Sequence, residues 1–390
     1  MNQANRGSPM PPVSSDTSPV FDASIAFVFS DAPSYVRARR TLPTLRRLFR
    51  EVHFIGVTRK RSWDDSRTPG IHYHIVDLQL SNGLATVPGV ARFMRYIRWK
   101  LQQLRPDVTL VVNDEYTLPF AAGYLPRSRF VAVDMHDSIG MRVLGPGAKL
   151  RPLFRRLSEL GLRAMDGLVE VTPERLQWHR YRPPVTAVVH NSPPYEEVTA
   201  EKGLPKKFVY VNGNLEDNIH GVEAVLAAVD RVEGMEIVST GKTVGPFVET
   251  VFRRHPKVHH LGKVHPDRLL PIAKAATAMY CHYSPVRLNY VYGAPNKLYE
   301  AMMVGTPVLI NAENQAKSMI EEHGFGLISP YNDVDALARD LRRLRDGDPA
   351  VEQAAQRARE VFRTTYSWDI METVWEDFFR RMGVTERNGG

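Results

Sequence analysis

One feature confines this chain more than any other: short, nearly unbroken apolar runs alternate with longer stretches of helical periodicity. "ASIAFVFS", "EVHFIGVT", "IHYHIVDL", "DVTLVVND", "RFVAVDMHD", "AMDGLVEVT" and "VTAVVHNSPP" each read as a buried strand, with helices predicted at "SYVRARRTLPTLRRLFR" and "GVARFMRYIRWKLQQLR". Strands apolar on both faces belong to parallel sheets covered by helices above and below. A second series follows the polar, Pro-containing "NSPPYEEVTAEKGLPKK". Its strands are "KFVYVNG", "MEIVSTG", "VHHLGKV", "ATAMYCHYS" and "TPVLINA", and its helices "GVEAVLAAVDRV", "DRLLPIAKAA", "NKLYEAMMV" and "DVDALARDLRRLRDG". A chain of 390 residues is too long for one core. The expectation is an α/β protein of two tandem Rossmann-like domains. Its parts are a Pro- and Ser-rich tail (1–20), a first domain (21–192), a linker (193–206), a second domain (207–365) and an amphipathic terminal helix (366–390).

Open α/β sheets bind ligands beyond the carboxyl ends of their strands. Polar groups gather at those ends: Asn113, Asp114 and Glu115; Asp134, His136 and Asp137; Asn212 and Asn214; Lys242; Arg287. Strands also shed polar residues there simply on leaving the core.

The segment "YVYGAPNKLYEAMMVGTPVLIN" sharpens the question. Gly293, Ala294 and Pro295 precede a helix where Ser, Thr, Asp or Asn would supply a cap, and Pro suits the first helical position. The first N–H groups, those of Asn296 and Lys297, are left without a side-chain partner, and such a terminus attracts phosphate. Lys297 stands in that first turn, and Glu300 follows three residues later on the same face. Glu300 is too far along to cap the helix but placed to accept hydrogen bonds from sugar hydroxyls. Phosphate plus ribose is a nucleotide. The bland alternative is a packed loop–helix with Lys297 and Glu300 as a minor surface pair.

Composition prunes the rest. The formal charge of +8 suits nucleic acid, anionic membrane or phosphorylated small molecules. No RNP motif, zinc-finger spacing or basic zipper points to specific nucleic acid. No apolar run is long enough to span a bilayer and no apolar signal core opens the chain, so a cytoplasmic location is expected. Cys281, the single cysteine, excludes an intramolecular disulfide and a thiolate metal cluster. No metal site is expected: the adjacent carboxylates of "WDDSR" read as a solvated turn, and His259, His260 and His282 lack ligand partners at useful spacing. Arg37, Arg39, Arg40, Arg46, Arg47 and Arg50 crowd one helical stretch, interrupted by Pro43; Arg92, Arg95, Arg98 and Lys100 crowd the next. These two stretches are expected to lie on an anionic membrane surface, which would place the protein peripherally on the inner face.

"APNKLYEAMMVGTPVL" resembles the donor-site segment of GT-B glycosyltransferases, in particular family 4, whose common form is "SPNKLFEYMAAGKPVI". "AVDMHDS", "AVVHNSPP", "VHHLGKVHPDRLLPIAKAATAMYCHYSP" and "YSWDIMETVWEDFF" resemble further blocks of that family. The resemblance implies two domains facing each other across a cleft, with the last helix returning to the first. It implies a hexosyltransferase-type enzyme moving a sugar from a nucleotide diphosphate, UDP- or GDP-linked, to a glycan, lipid-linked or small-molecule acceptor, with retention and without metal or other cofactor. Glu300 matches the glutamate that holds the ribose. Ala294, Pro295 and Asn296 would contact diphosphate or sugar, and Gly262, Lys263 and Val264 the base. His136 would stand near the transferred sugar with Asp137 beside it; were transfer to invert, one of these would take the acceptor's proton. Three departures stand out: Tyr292 occupies the place of the family's first glutamate, His220 falls near its lysine, and "FSDAPSY" lacks its glycine pair. Lys242, Arg287 and Lys297 are the substitutes for the missing positive charge, and Asn214 is carried on the same edge. The competing readings are a nucleotide-sugar epimerase of the same fold, a nucleotide-sugar-binding protein without catalysis, and a nucleic-acid binder acting through the arginine helices.

Overall fold

The computed structural model describes residues 18–33, 35–58, 67–78, 87–143 and 148–387. Most of the expected tail and the carboxylates Asp64 and Asp65 lie outside them. The described residues form two compact units. One takes the chain to Leu110 with Ser128–Phe130 and the residues from Gly383 on; the other takes Val111–Arg127 and Val131–Met382.

The first series of elements runs β1 (Phe21–Val28), α1 (Val36–Leu48), β2 (Phe49–Val57), β3 (His72–Val76), α2 (Val87–Leu104), β4 (Val108–Val112), α3 (Thr117–Ala121), β5 (Phe130–Met135), α4 (Ile139–Val143), α5 (Arg151–Leu162), β6 (Gly167–Glu170), α6 (Pro173–Trp178) and β7 (Val185–Val188). Their strands form one sheet in the order β3-β2-β1-β4-β5-β6-β7. The ladders from β3 to β1 and from β5 to β7 are parallel, as the two-sided apolar runs require.

The second series runs β8 (Phe208–Asn212), β9 (Leu215–Glu216), α7 (Val222–Asp230), β10 (Glu236–Thr240), β11 (Thr243–Val244), α8 (Pro246–Thr250), β12 (Val258–His260), α9 (Leu269–Ala275), β13 (Ala278–Cys281), α10 (Leu288–Val291), α11 (Asn296–Val304), β14 (Val308–Asn311), α12 (Lys317–His323), β15 (Gly326–Ser329), α13 (Val334–Arg345), α14 (Pro349–Val361) and α15 (Trp368–Arg381). Its six-stranded parallel sheet has the order β12-β10-β8-β13-β14-β15. Strand order therefore reverses between β8 and β13, which makes the loops after these two strands the switch point where ligands bind. Alternate residues of β8 serve opposite cores: Phe208 and Tyr210 join Leu298, Met302 and Val308 on one face, Val209 and Val211 join Val225, Leu309 and Leu337 on the other.

Residues 189–207 link the two sheets without being loose. Tyr195, Val198 and Leu204 pack on the second sheet's core. After a π-turn at Phe362–Tyr366, α15 leaves that sheet and lies on β7 of the first. Trp375, Phe378 and Phe379 are fully buried there. Gly167 of β6 admits the helix: a Cβ would lie 2.5 Å from Phe378 Cζ and 2.8 Å from Met382 Sδ.

The arginine-rich stretch departs from expectation. α1 continues through Pro43. Arg37 turns inward and is 1% exposed, and Arg50 belongs to β2, where it pairs with Asp22 at 2.6 Å. These two do not share a basic helical face with Arg39 and Arg46. α2 keeps Arg92, Arg95 and Arg98 exposed.

Candidate active site

Two loops in the larger unit carry the site residues of the first sheet. Asn113, just beyond β4, adopts φ +71° with ψ 169°, a strained conformation that residues other than glycine rarely enter. Buried there, its Oδ1 accepts the backbone N–H groups of His136 and Asp137, each at 2.9 Å. Asp114 continues the pattern, accepting from Ser138 Oγ at 2.7 Å and from the Ile139 N–H at 2.8 Å. Four hydrogen bonds from two adjacent side chains thus fix the turn after β5. The His136 ring is held in turn: its Nε2 lies 2.9 Å from Oδ2 of fully buried Asp134. An ionised carboxylate only accepts, so Nε2 is the donor. On the β4 side, burial pushes the Glu115 carboxyl up to about 7, against the Arg142 guanidinium 3.1 Å away and helped by Asp114.

Behind Asp137 lies a buried ionic cluster. Arg175, 2% exposed, has Nη1 3.7 Å from Asp137 and Nε 3.1 Å from Glu170. Glu170 also takes His179 Nε2 at 2.7 Å. Thr172 caps α6 through the Arg175 N–H, with Pro173 at its first position.

On the second sheet the turn at Asn296 has the predicted character with one shift. Pro295 is the cap residue itself, extended at ψ 133°, and Asn296 is the first helical residue. No side chain caps α11, and among the described residues no hydrogen bond reaches the Asn296 or Lys297 N–H. Among the described residues Lys297 makes no surface ion pair. Its Nζ reaches the Tyr280 carbonyl at 3.4 Å and stands 5.2 Å from the Tyr283 ring centroid. Burial lowers its ammonium pKa, and the charges of Cys281 and Glu300 oppose the shift. Tyr283 is boxed in by Tyr290 at 5.9 Å and His220 at 5.3 Å. The His220 ring accepts the Glu216 N–H at Nδ1, and burial, then the Lys297 charge, push it down to about 4. The residue near the family's lysine position is therefore a neutral imidazole at pH 7.

The remaining residues sit on loops of the same edge. Asn214 and Lys242 are exposed beyond β8 and β10. Gly262, at φ +67°, accepts the Gly241 N–H at 2.8 Å, and a Cβ there would meet nothing within 4 Å. Val264 packs on the core below. Arg287 is exposed at the start of α10. Among the described residues no hydrogen bond or ion pair brings Lys242 or Arg287 to the turn at Asn296.

Within this unit the two sheets meet beside these groups. Met141, Trp178 and Leu288 share a buried cluster with Phe154 and Tyr292, and the Tyr292 ring lies 5.7 Å from that of Trp178. Ser318 Oγ donates to Glu174 at 2.7 Å. The Tyr290 phenol is raised by burial, lowered by Arg287 and raised again by Glu216 and Asp137, so charge from both sheets converges on it. Sequence reading passed over Glu170, Arg175 and Tyr283. A charged residue ending the apolar run "GLVE", followed by a Thr-Pro-Glu helix start, was the signal available for the Arg175 cluster.

Comparison with known proteins agrees with this architecture. Residues 205–346 match the family described as "Glycosyl transferases group 1". No curated protein matches the sequence. A sucrose-phosphate synthase from Thermosynechococcus elongatus superposes with TM-score 0.73 at 13% identity, over 92% of this chain and 99% of that one. Anabaena Alr3699/HepE in complex with UDP-glucose gives 0.65 at 13%, over 93% and 99%. WaaG, a glycosyltransferase involved in lipopolysaccharide biosynthesis, gives 0.62 at 14%, over 91% and 99%. The fold is that of the GT-B glycosyltransferases.

Proposed function

We propose that this chain, whose second sheet carries a group 1 glycosyltransferase domain, transfers a glycosyl group from a nucleoside diphosphate sugar to a hydroxyl acceptor, with retention, as a family 4 enzyme would. The single observation that carries the reading is the open first turn of α11 at the β8/β13 switch point, with half-buried Lys297 and Glu300 on its face. Uncapped N–H groups and a partly desolvated ammonium together suit a diphosphate, whose negative charge would restore the lysine's lowered proton affinity. Glu300 accepts from the ribose hydroxyls, and the open side of Gly262 leaves room for a base. UDP is the favoured nucleotide, since HepE binds it.

The reaction breaks the bond between the anomeric carbon and the diphosphate oxygen and forms one to the acceptor oxygen. Negative charge grows on the leaving phosphate, where the Asn296 and Lys297 N–H groups and the Lys297 ammonium are already aimed. With retention the acceptor's proton passes to the departing phosphate oxygen, so no enzymic base is needed. His136, its ring oriented by Asp134, hydrogen-bonds the sugar, and Asp137, held by Asn113 and Arg175, faces the acceptor. An acceptor of the glycan or lipid-linked class is taken on the first sheet's side.

A thermal-shift screen against UDP, GDP, ADP and dTDP tests the donor site. Nucleotide at a hundredfold its Kd adds about 2.7 kcal/mol, so UDP stands out in the wild type, and Glu300→Ala removes the shift. No shift with any of the four, or an undiminished one in the variant, overturns the reading.

A further inference from the structure

Exposed apolar surface gathers on one helix. Leu150, the residue before α5, and Leu153, Leu157 and Leu160 on it are 57%, 52%, 39% and 53% exposed. At 3.6 residues per turn these four fall within an arc of roughly 80°. Lys149, Arg156 and Arg163, all exposed, flank that arc on one side. The rest of the helix is committed elsewhere. A Cβ on Gly161 would lie 2.1 Å from Thr117 Oγ1, so α5 is pressed onto α3. Phe154 packs toward Met141, Trp178 and Tyr292, and Arg151 and Arg155 stand over the Trp178 ring at 4.6 and 5.2 Å. Glu159, the helix's one carboxylate, lies 3.6 Å from Arg155.

We propose that the outer face of α5 docks on an anionic lipid bilayer, the leucines entering the headgroup boundary while Lys149, Arg156 and Arg163 meet lipid charge. A short helix with a leucine stripe and cations along its border is what such an interface selects. Contiguous leucines this exposed are otherwise rare on a soluble surface. A second copy of the chain fits less well. In an antiparallel twofold contact the three cations would face their own counterparts, and in a parallel one they would face a flank holding Phe154 and Gly161, with no carboxylate to receive them. Docking would hold the wall formed by Phe154, Trp178 and Tyr292 about one helix diameter, ~10 Å, from the lipid. The inference uses none of the donor contacts, so it stands or falls separately from the proposed reaction.

The experiment is co-sedimentation of the full chain with vesicles of phosphatidylglycerol and phosphatidylcholine, against phosphatidylcholine alone, with sedimentation velocity on the lipid-free protein. Three cations, each contributing roughly fivefold, predict roughly a hundredfold preference for the anionic vesicles, eroding as salt is raised. L153E/L157E abolishes binding; R156Q/R163Q weakens it roughly 25-fold. Both variants keep the wild-type melting temperature and nucleotide shift, which shows that the fold and donor site are intact. Equal binding to neutral and anionic vesicles, or none to either, overturns the proposal. So does a lipid-free dimer that L153E/L157E dissociates without any vesicle binding in the wild type.

Discussion

His282 offers a quantitative test of how the second sheet is built. It follows β13, is 1% exposed, lies stacked on Tyr280 with centroids 4.7 Å apart, and among the described residues has no hydrogen-bond partner for either ring nitrogen. Burial, and then the Lys297 charge, push it down to about 3 from an ordinary 6.5. Between those values the unfolded chain holds a proton that the folded chain refuses. Stability contributed by the neutral ring is therefore complete above about pH 6.5 and lost as pH falls towards 3, a full span of about 5 kcal/mol. On going from about pH 8 to about pH 5, the logarithmic form of the same linkage gives a loss of about 2 kcal/mol from this residue alone. Leucine at this position cannot titrate. His282→Leu also removes the stacking, which shifts its stability at every pH, but its decline from about pH 8 to about pH 5 is smaller by about 2 kcal/mol. Urea unfolding at the two pH values measures the difference of differences, which cancels the packing change. Parallel declines in the two proteins would refute the reasoning and mean that the ring carries its proton in the folded state.

Two other expectations concern the geometry around the site. Asn113→Ala strips the acceptor from the His136 and Asp137 N–H groups and puts a less tolerant residue at φ +71°; it lowers kcat at least tenfold with donor affinity within twofold, while Asn113→Asp, which keeps the acceptor, restores most of the rate. Gly167→Ala drives a methyl into Phe378 and Met382 and costs about 1–3 kcal/mol in urea unfolding, with activity at low temperature unchanged.

The strands were legible because both faces of each sheet are buried, so the apolar runs are continuous. The uncapped turn was legible because Gly-Ala-Pro carries no side-chain oxygen; only the cap assignment moved, from Ala294 to Pro295. Helix α5 escaped notice because its buried face is only Ser158, Gly161 and Leu162, while its leucine stripe points outward. α14 escaped because its buried face is Val351, Ala354, Ala355 and Ala358, too small to stand out from a polar background. Charge misled at α1: an arginine run says nothing about which guanidinium turns inward, and Arg37 does. Contacts such as Trp178 with Tyr292 join distant segments and obey no local period, so only the folded chain displays them.

The chain passes between its two sheets twice, and the passages are stitched together. Tyr195 N–H donates to Asp369 Oδ2 at 3.1 Å, and Trp368 N–H donates to the Pro193 carbonyl at 2.9 Å. A ribbon of two threads resists sliding and twisting better than one, and leaves bending as its easiest deformation. It also means that severing either thread alone does not release the halves: a molecule nicked within the first crossing stays a single body, kept whole by the second.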